Sequence, residues 1–184
     1  MQRAVFLDRD GVLNQAIVRN GRPYAPMSLA EFTILPGVRE ALEALARERF
    51  LLIVVTNQPD VGRGKQTRAV VDEMHARLSA HLPVDEIMAC FDGDEATSTW
   101  YKPKPGMLLD AAARRGIDLS ASYMVGDRWR DVGCGIAAGC YTVFIDRGYE
   151  ENLVDNPHAR CRDLPEAAGI ILRHARGEHE AQTL

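Results

Sequence analysis

The feature that most constrains the fold of this chain is a short apolar run that stops at two acids, Arg3-Ala4-Val5-Phe6-Leu7-Asp8-Arg9-Asp10-Gly11-Val12-Leu13. Successive apolar residues bounded by charge predict a strand buried on both faces, the pattern of a parallel sheet. Asp8 and Asp10 then fall on one pleat face if the strand continues, and Gly11 lets the chain turn. The carboxyl end of such a strand is where a carboxylate is held rigidly yet faces a ligand. Two acids there repel unless something positive sits beside them. A hard cation such as Mg2+ would supply that charge.

The same rhythm repeats. Residues 50–55, 86–91, 123–125 and 141–145 read as further strands, and helical patterns fall between most of them. Pro36-Gly37 opens a helix with Val38, Leu42 and Leu45 on one face, and Thr67 is placed to cap the next, with Val70, Val71, Met74 and Leu78 inward. A helix after Gly106 runs through Arg115 and stops at Gly116, another begins near Asp131, and a last one covers about 165–173. Strands alternating with helices predict an α/β fold, a doubly wound parallel sheet in three α/β/α layers. Residues 9–36 read as one long polar loop with a turn at Asn20-Gly21, of the kind that covers substrates. Polar clusters follow the apolar runs at Asp8/Asp10, Thr56/Asn57, Lys102 and Asp127/Asp131. In a parallel sheet these ends share one edge, so the clusters are expected to converge.

Composition bounds the function classes. The 184 residues, 46% apolar, suit a single domain, expected over residues 1–176 with a flexible polar tail at 177–184. A net charge of -4 without a basic stripe argues against nucleic-acid binding. No run reaches the ~20 apolar residues of a membrane span, and no cleavable leader pattern is present. Cys90, Cys134, Cys140 and Cys161 lack paired spacing, so they are expected as reduced, mostly buried thiols in a cytoplasmic protein. The five histidines, at 75, 81, 158, 174 and 179, show no ligand spacing and are expected at the surface.

Taken in order, Asp8-x-Asp10-Gly11, Thr56-Asn57-Gln58, Lys102-Pro103 and Gly126-Asp127-x-x-x-Asp131 resemble the motifs of the haloacid dehalogenase (HAD) superfamily of aspartate-nucleophile phosphatases, from the first strand to about Ile145. The resemblance implies a Rossmann-like core and a phosphoric monoester hydrolase. Asp8 would be the nucleophile and Asp10 the general acid and base. Thr56 and Lys102 would stabilise the transferring phosphoryl group, with Lys104 the rival to Lys102. Mg2+ would be held by Asp8, the Asp10 carbonyl and Asp127. Asp131 would bind the metal through water, hold Lys102, or be an ordinary helix N-terminal acid.

The spacing leaves no room for a large cap domain. Residues 7–14, Thr56-Asn57-Gln58 and Lys102-Pro103-Lys104-Pro105-Gly106-Met107 resemble the capless subfamily IIIA group of heptose-bisphosphate and histidinol-phosphate phosphatases, and Gly62-Arg63-Gly64 is nearer the heptose-bisphosphate branch. The implied substrate is D-glycero-D-manno-heptose 1,7-bisphosphate with loss of the 7-phosphate, and histidinol phosphate is the alternative. Asn57, Gln58, Arg63 and Arg128 are the candidate substrate contacts, Arg63 for a second phosphate. A small phosphorylated molecule is then the expected partner, and the protein a monomer or small homo-oligomer.

One segment departs from that group. Where relatives carry a zinc loop, residues 90–101 hold one cysteine and no histidine, so no structural zinc is expected. Tyr101 replaces the usual arginine before the lysine, and Trp100 and Tyr101 either stack on substrate or close the loop by packing. Two other classes fit parts of the pattern. A phosphoacceptor receiver domain would carry its acceptor after the third strand, where only Asp92 and Asp94 stand. A phosphatase-like binding protein without turnover would lack core residues that are all present here.

Overall fold

The computed structural model describes residues 1–94 and 98–177. Beyond Gly177, the tail expected at 177–184 and His179 lie outside the described residues.

Strand β1 (Ala4–Leu7) is wholly buried and lies at the centre of a six-stranded sheet. On one side it pairs in parallel with β4 (Leu51–Asn57), which leads into the single-turn helix α2 (Pro59–Gly62), and β4 pairs with β5 (Glu86–Cys90). On the other side come β6 (Tyr123–Gly126), β7 (Tyr141–Ile145) and β8 (Ala159–Cys161), all parallel. The order β5-β4-β1-β6-β7-β8 reverses direction at β1, so the crevice above β1 and β6 is the topological switch point.

Both faces of the sheet are covered, which explains the unbroken apolar runs. Val5 and Leu7 of β1 face one core, packed with Val38, Leu42 and Leu45 of α1 (Val38–Arg47), Met74 and Leu78 of α3 (Arg68–His81), and Ile171 of α6 (Leu164–Ala175). Ala4 and Phe6 alternate onto the other core, with Met107, Leu108 and Ala111 of α4 (Gly106–Arg115) and Cys134 and Ala138 of α5 (Trp129–Ala138). Truncating the fully buried Phe6 to alanine would cost about 3–5 kcal/mol in lost transfer energy and cavity. The Thr67 hydroxyl accepts from the Val70 N–H at 3.4 Å, and Gly116 closes α4 at φ 64°. Both ends fall where the sequence puts them.

Three expectations need correction. The loop at 9–36 contains a hairpin of β2 (Ile17–Arg19) and β3 (Arg22–Tyr24), turned by Asn20 and Gly21 at φ 49° and 70°. Such a pair of positive φ values suits a two-residue hairpin turn. Strand β8 lies in what reads as loop, because Ala-Arg-Cys carries no apolar run. His75 and His174 are not surface groups: both are half-buried with ring partners, Arg9 and Tyr123 respectively. The four cysteines are free and buried, as expected. Among the described residues no helix is long and apolar enough to cross a membrane.

Candidate active site

The tips of β1, β4 and β6 bring the four polar clusters to one edge. The Asp8 N–H donates to the Val125 carbonyl at 2.9 Å, which extends the sheet pairing into the first acid. Glycine is needed twice for the acids to meet. Gly11 has φ 88°, and a Cβ there would lie 1.8 Å from Asp127 Oδ2. At Gly126 a Cβ would stand 2.0 Å from the Cβ of Asp131. Any side chain at either position would push apart Asp8, Asp127 and Asp131, whose carboxylate oxygens lie within 4.8 Å of one another.

One buried ammonium sits against this cluster. Lys102 Nζ donates to Asp8 Oδ1 at 2.7 Å, Asp131 Oδ1 at 2.6 Å and the Val55 carbonyl at 2.8 Å. Burial works against the Lys102 charge, but Asp131 and Asp8 outweigh it and hold its pKa above the ordinary lysine value. Burial pushes Asp8 up to about 6; Lys102 opposes the rise, and the charges of Asp131 and Asp10 add to it. Asp131 also accepts the Arg128 N–H at 3.0 Å, so it both caps α5 and clamps the lysine. Of the roles considered for Asp131, its contacts display two, the helix N-terminal acid and the holder of Lys102. Lys104 points elsewhere, donating to the Ser98 carbonyl at 3.1 Å.

Asp127 is the unbalanced member. It is 1% exposed, and neither carboxylate oxygen has a hydrogen-bond partner. Burial raises its pKa well above the usual carboxylate range, and Asp8 and Asp131 raise it further against the smaller pull of Tyr149 and Arg128. A buried carboxylate left without donors costs several kcal/mol unless it is neutralised or paired. Orphaned oxygens beside two more carboxylates form the donor set of a hard, oxygen-seeking cation.

Asp10 is held by donors on every side. Arg9 Nη2 reaches Oδ1 and Oδ2 at 3.0 and 2.9 Å, Asn14 Nδ2 reaches Oδ1 at 2.9 Å, and Gln58 Nε2 reaches Oδ2 at 2.9 Å. Gln58 also donates to the Thr56 hydroxyl at 3.0 Å. Gln58, expected at the substrate, is therefore turned toward the second acid. Asn57 spends its amide on the Lys102 backbone, accepting its N–H and donating to its carbonyl, both at 3.1 Å. That exchange fixes the loop that delivers the lysine.

A cavity of about 700 Å3 opens on this edge, lined by Asp8, Asp10, Asn57, Arg63, Lys102, Arg128 and Asp131, with Arg19, Arg22 and Tyr24 of the hairpin across from them. Thr56, Gln58 and Asp127 are buried behind that lining. Arg63 donates to the Gly93 carbonyl at 2.7 Å, and Arg128 pairs with Glu151. Tyr101 lines the cavity, whereas Trp100 packs against the second core and a separate groove beside α3. Asp92 and Asp94 take no part in the carboxylate cluster, which removes the basis for a receiver-type acceptor. The sequence reading missed Arg9, Asn14, Tyr149 and the hairpin cations. A fully buried arginine inside an acidic motif has no periodic signature.

Known proteins give the arrangement its place. Residues 99–167 match the HAD-hydrolase-like family model. The D-glycero-D-manno-heptose-1,7-bisphosphate 7-phosphatase of Thermosynechococcus vestitus is 33% identical over 194 aligned positions, spanning 93% of this chain and 96% of that protein. The D-glycero-beta-D-manno-heptose-1,7-bisphosphate 7-phosphatase of Escherichia coli K12 is 33% identical over 89% of this chain and 92% of its own length. Among solved structures, the D,D-heptose 1,7-bisphosphate phosphatase of B. bronchiseptica, complexed with magnesium and phosphate, superposes with a TM-score of 0.80 at 29% identity, covering 94% of this chain and 99% of that one. With relatives this similar along almost its whole length, and with their fold, the chain belongs to the HAD-like hydrolases, in the family of the heptose-bisphosphate phosphatases.

Proposed function

We propose that the protein is a Mg2+-dependent phosphatase that removes the 7-phosphate of D-glycero-D-manno-heptose 1,7-bisphosphate through an aspartyl-phosphate on Asp8. The observation that carries the reading is the cluster of Asp8, Asp127 and Asp131, with Lys102 on two of its members and Asp127 without a partner. Support for the substrate comes from the relatives, which carry that activity in their names.

Hydrolysis of a phosphate monoester needs on the order of 20 kcal/mol or more of barrier lowering. Bound among Asp8, Asp127 and the Asp10 carbonyl, Mg2+ would offset the repulsion between carboxylate and phosphate and orient both. The residues divide the remaining work. Asp8 Oδ attacks phosphorus, and the bond to the C7 oxygen breaks. Asp10 gives that oxygen its proton, then takes one from the water that attacks the aspartyl-phosphate, so free phosphate leaves and both acids return to their starting state. Lys102 and the Thr56 hydroxyl and N–H stabilise the equatorial oxygens, and Asp131 keeps the lysine aimed. Arg63 and Arg128, on the cavity wall, meet the remaining 1-phosphate. No cap is needed for this: the hairpin β2–β3 walls the cavity opposite the acids.

The test is phosphate release from the heptose bisphosphate, other sugar mono- and bisphosphates and histidinol phosphate, with Mg2+ or with EDTA. The reading predicts Mg2+-dependent turnover led by the heptose bisphosphate, with the 1-phosphate as product by 31P NMR. Preference for histidinol phosphate would reassign the substrate, and release unaffected by EDTA would remove the metal.

A further inference from the structure

Arg9 is 0% exposed, the largest of the fully buried side chains. A guanidinium is kept out of water only where its N–H groups find acceptors in a matching geometry. Three of its hydrogen bonds, from Nε and Nη2, go to the Asp10 carboxylate. The fourth leaves from Nη1 to His75 Nε2, 3.1 Å away on α3. Arginine has no acceptor, so His75 must receive that hydrogen bond on an unprotonated Nε2, and the ring is the neutral tautomer with its proton on Nδ1. Burial, with Arg9 beside it, lowers the His75 pKa to about 4, which keeps this tautomer in place at neutral pH. His75 therefore pins the far end of a planar group whose near end grips the second acid of the motif.

We propose that Arg9 and His75 are positioning residues that act through Asp10: His75 fixes the plane of the Arg9 guanidinium, and Arg9 fixes the direction in which Asp10 presents its oxygens to the leaving group. The inference rests on Asp10 being the general acid and base. Proton transfer demands hydrogen-bond reach and alignment. A carboxylate gripped along one edge by a fork, with Asn14 and Gln58 on its flanks, has one orientation rather than several. Neither Arg9 nor His75 lines the catalytic cavity, so neither is expected to touch substrate.

The test compares two leaving groups in the same protein preparation. An alkyl phosphate, here the heptose bisphosphate, needs a proton on its departing oxygen, whereas p-nitrophenyl phosphate leaves without one. For His75→Leu and Arg9→Gln we expect kcat on the alkyl substrate to fall about ten- to a hundred-fold, within the range of general acid–base assistance. The KM on that substrate is expected to stay within about two-fold, and the first-turnover rate of p-nitrophenol release, which precedes any work by Asp10 as base on water, within about three-fold. His75→Gln, which restores an acceptor at the same reach, should recover most of the alkyl activity. A variant that merely folds poorly loses both substrates together. Equal loss on both substrates, or no loss on either, overturns the inference while leaving the phosphatase reading intact. A wild-type protein inactive on both overturns that reading and the inference with it.

Discussion

Replacing Lys102 by methionine tests the electrostatics of the site most severely. The side chain volume is nearly kept, but the one ammonium within hydrogen-bond distance of Asp8 and Asp131 is gone. Those carboxylates are 10% and 3% exposed at the side chain, so water cannot replace it. Breaking a buried ion pair by removing one partner costs about 3–5 kcal/mol. At roughly 2–4 °C per kcal/mol for a chain of this size, the melting temperature in EDTA should drop by about 6–20 °C at pH 7.5. The loss should depend on pH. In the wild type Asp8 is raised from 3.8 to about 6, so the folded state holds its proton more tightly than the unfolded state. Its contribution to stability is complete below pH 4 and is lost as pH rises through 6, about 3 kcal/mol in all. Without the ammonium Asp8 titrates higher still, so the difference between wild type and variant should shrink at pH 4.5, where Asp8 is protonated in both. Thermal denaturation by circular dichroism at the two pH values reads this directly. A drop under 2 °C at pH 7.5, or equal drops at both pH values, would refute the view that Lys102 neutralises the cluster.

Asp127→Asn removes a buried charge from beside Asp8 and Asp131, so in EDTA the variant should be more stable than wild type by about 1–3 kcal/mol. It should also lose the Mg2+-induced rise in melting temperature, which for wild type at a hundred-fold excess over Kd corresponds to about 2.7 kcal/mol. Gly11→Ala sets a side chain at φ 88° and 1.8 Å from Asp127 Oδ2; we expect a loss of about 1–3 kcal/mol and weaker Mg2+ binding, seen by denaturant titration and calorimetry. Arg128→Ala should raise KM for the bisphosphate by about ten-fold, the worth of one charge-assisted contact, and leave p-nitrophenyl phosphate kinetics unchanged in a steady-state assay.

The strands β1, β4, β6 and β7 were legible because each is an apolar run buried on two faces, and the edge strand β5 because its apolar run at 87–90 is unbroken though half-exposed; a doubly wound sheet follows from their alternation with helices. The site was legible for the same reason: an acid directly after such a run, as at Asp8 and Asp127, stands at a strand tip. The hairpin was not. Its strands have three residues each, carry arginines, and include Pro23, so neither alternation nor length marks them. Strand β8 is an edge strand whose middle residue, Arg160, is exposed. Gln58 was expected at the substrate because it stands in the polar turn beside Thr56; its amide instead bridges Thr56 and Asp10. Arg9 and His75 were missed for a different reason. Their partnership joins residues 66 apart across the sheet-to-helix layer, and neither residue carries a local pattern that announces the other.

The central claim is that Asp8 becomes phosphorylated. Mixing protein, Mg2+ and the bisphosphate for milliseconds, quenching in acid and mapping the phosphoryl group by peptide mass spectrometry tests it most directly. The account predicts a phosphorylated Asp8 that forms as fast as product and is absent from Asp8→Asn. A phosphoryl group on another residue, or full turnover in Asp8→Asn, would contradict it.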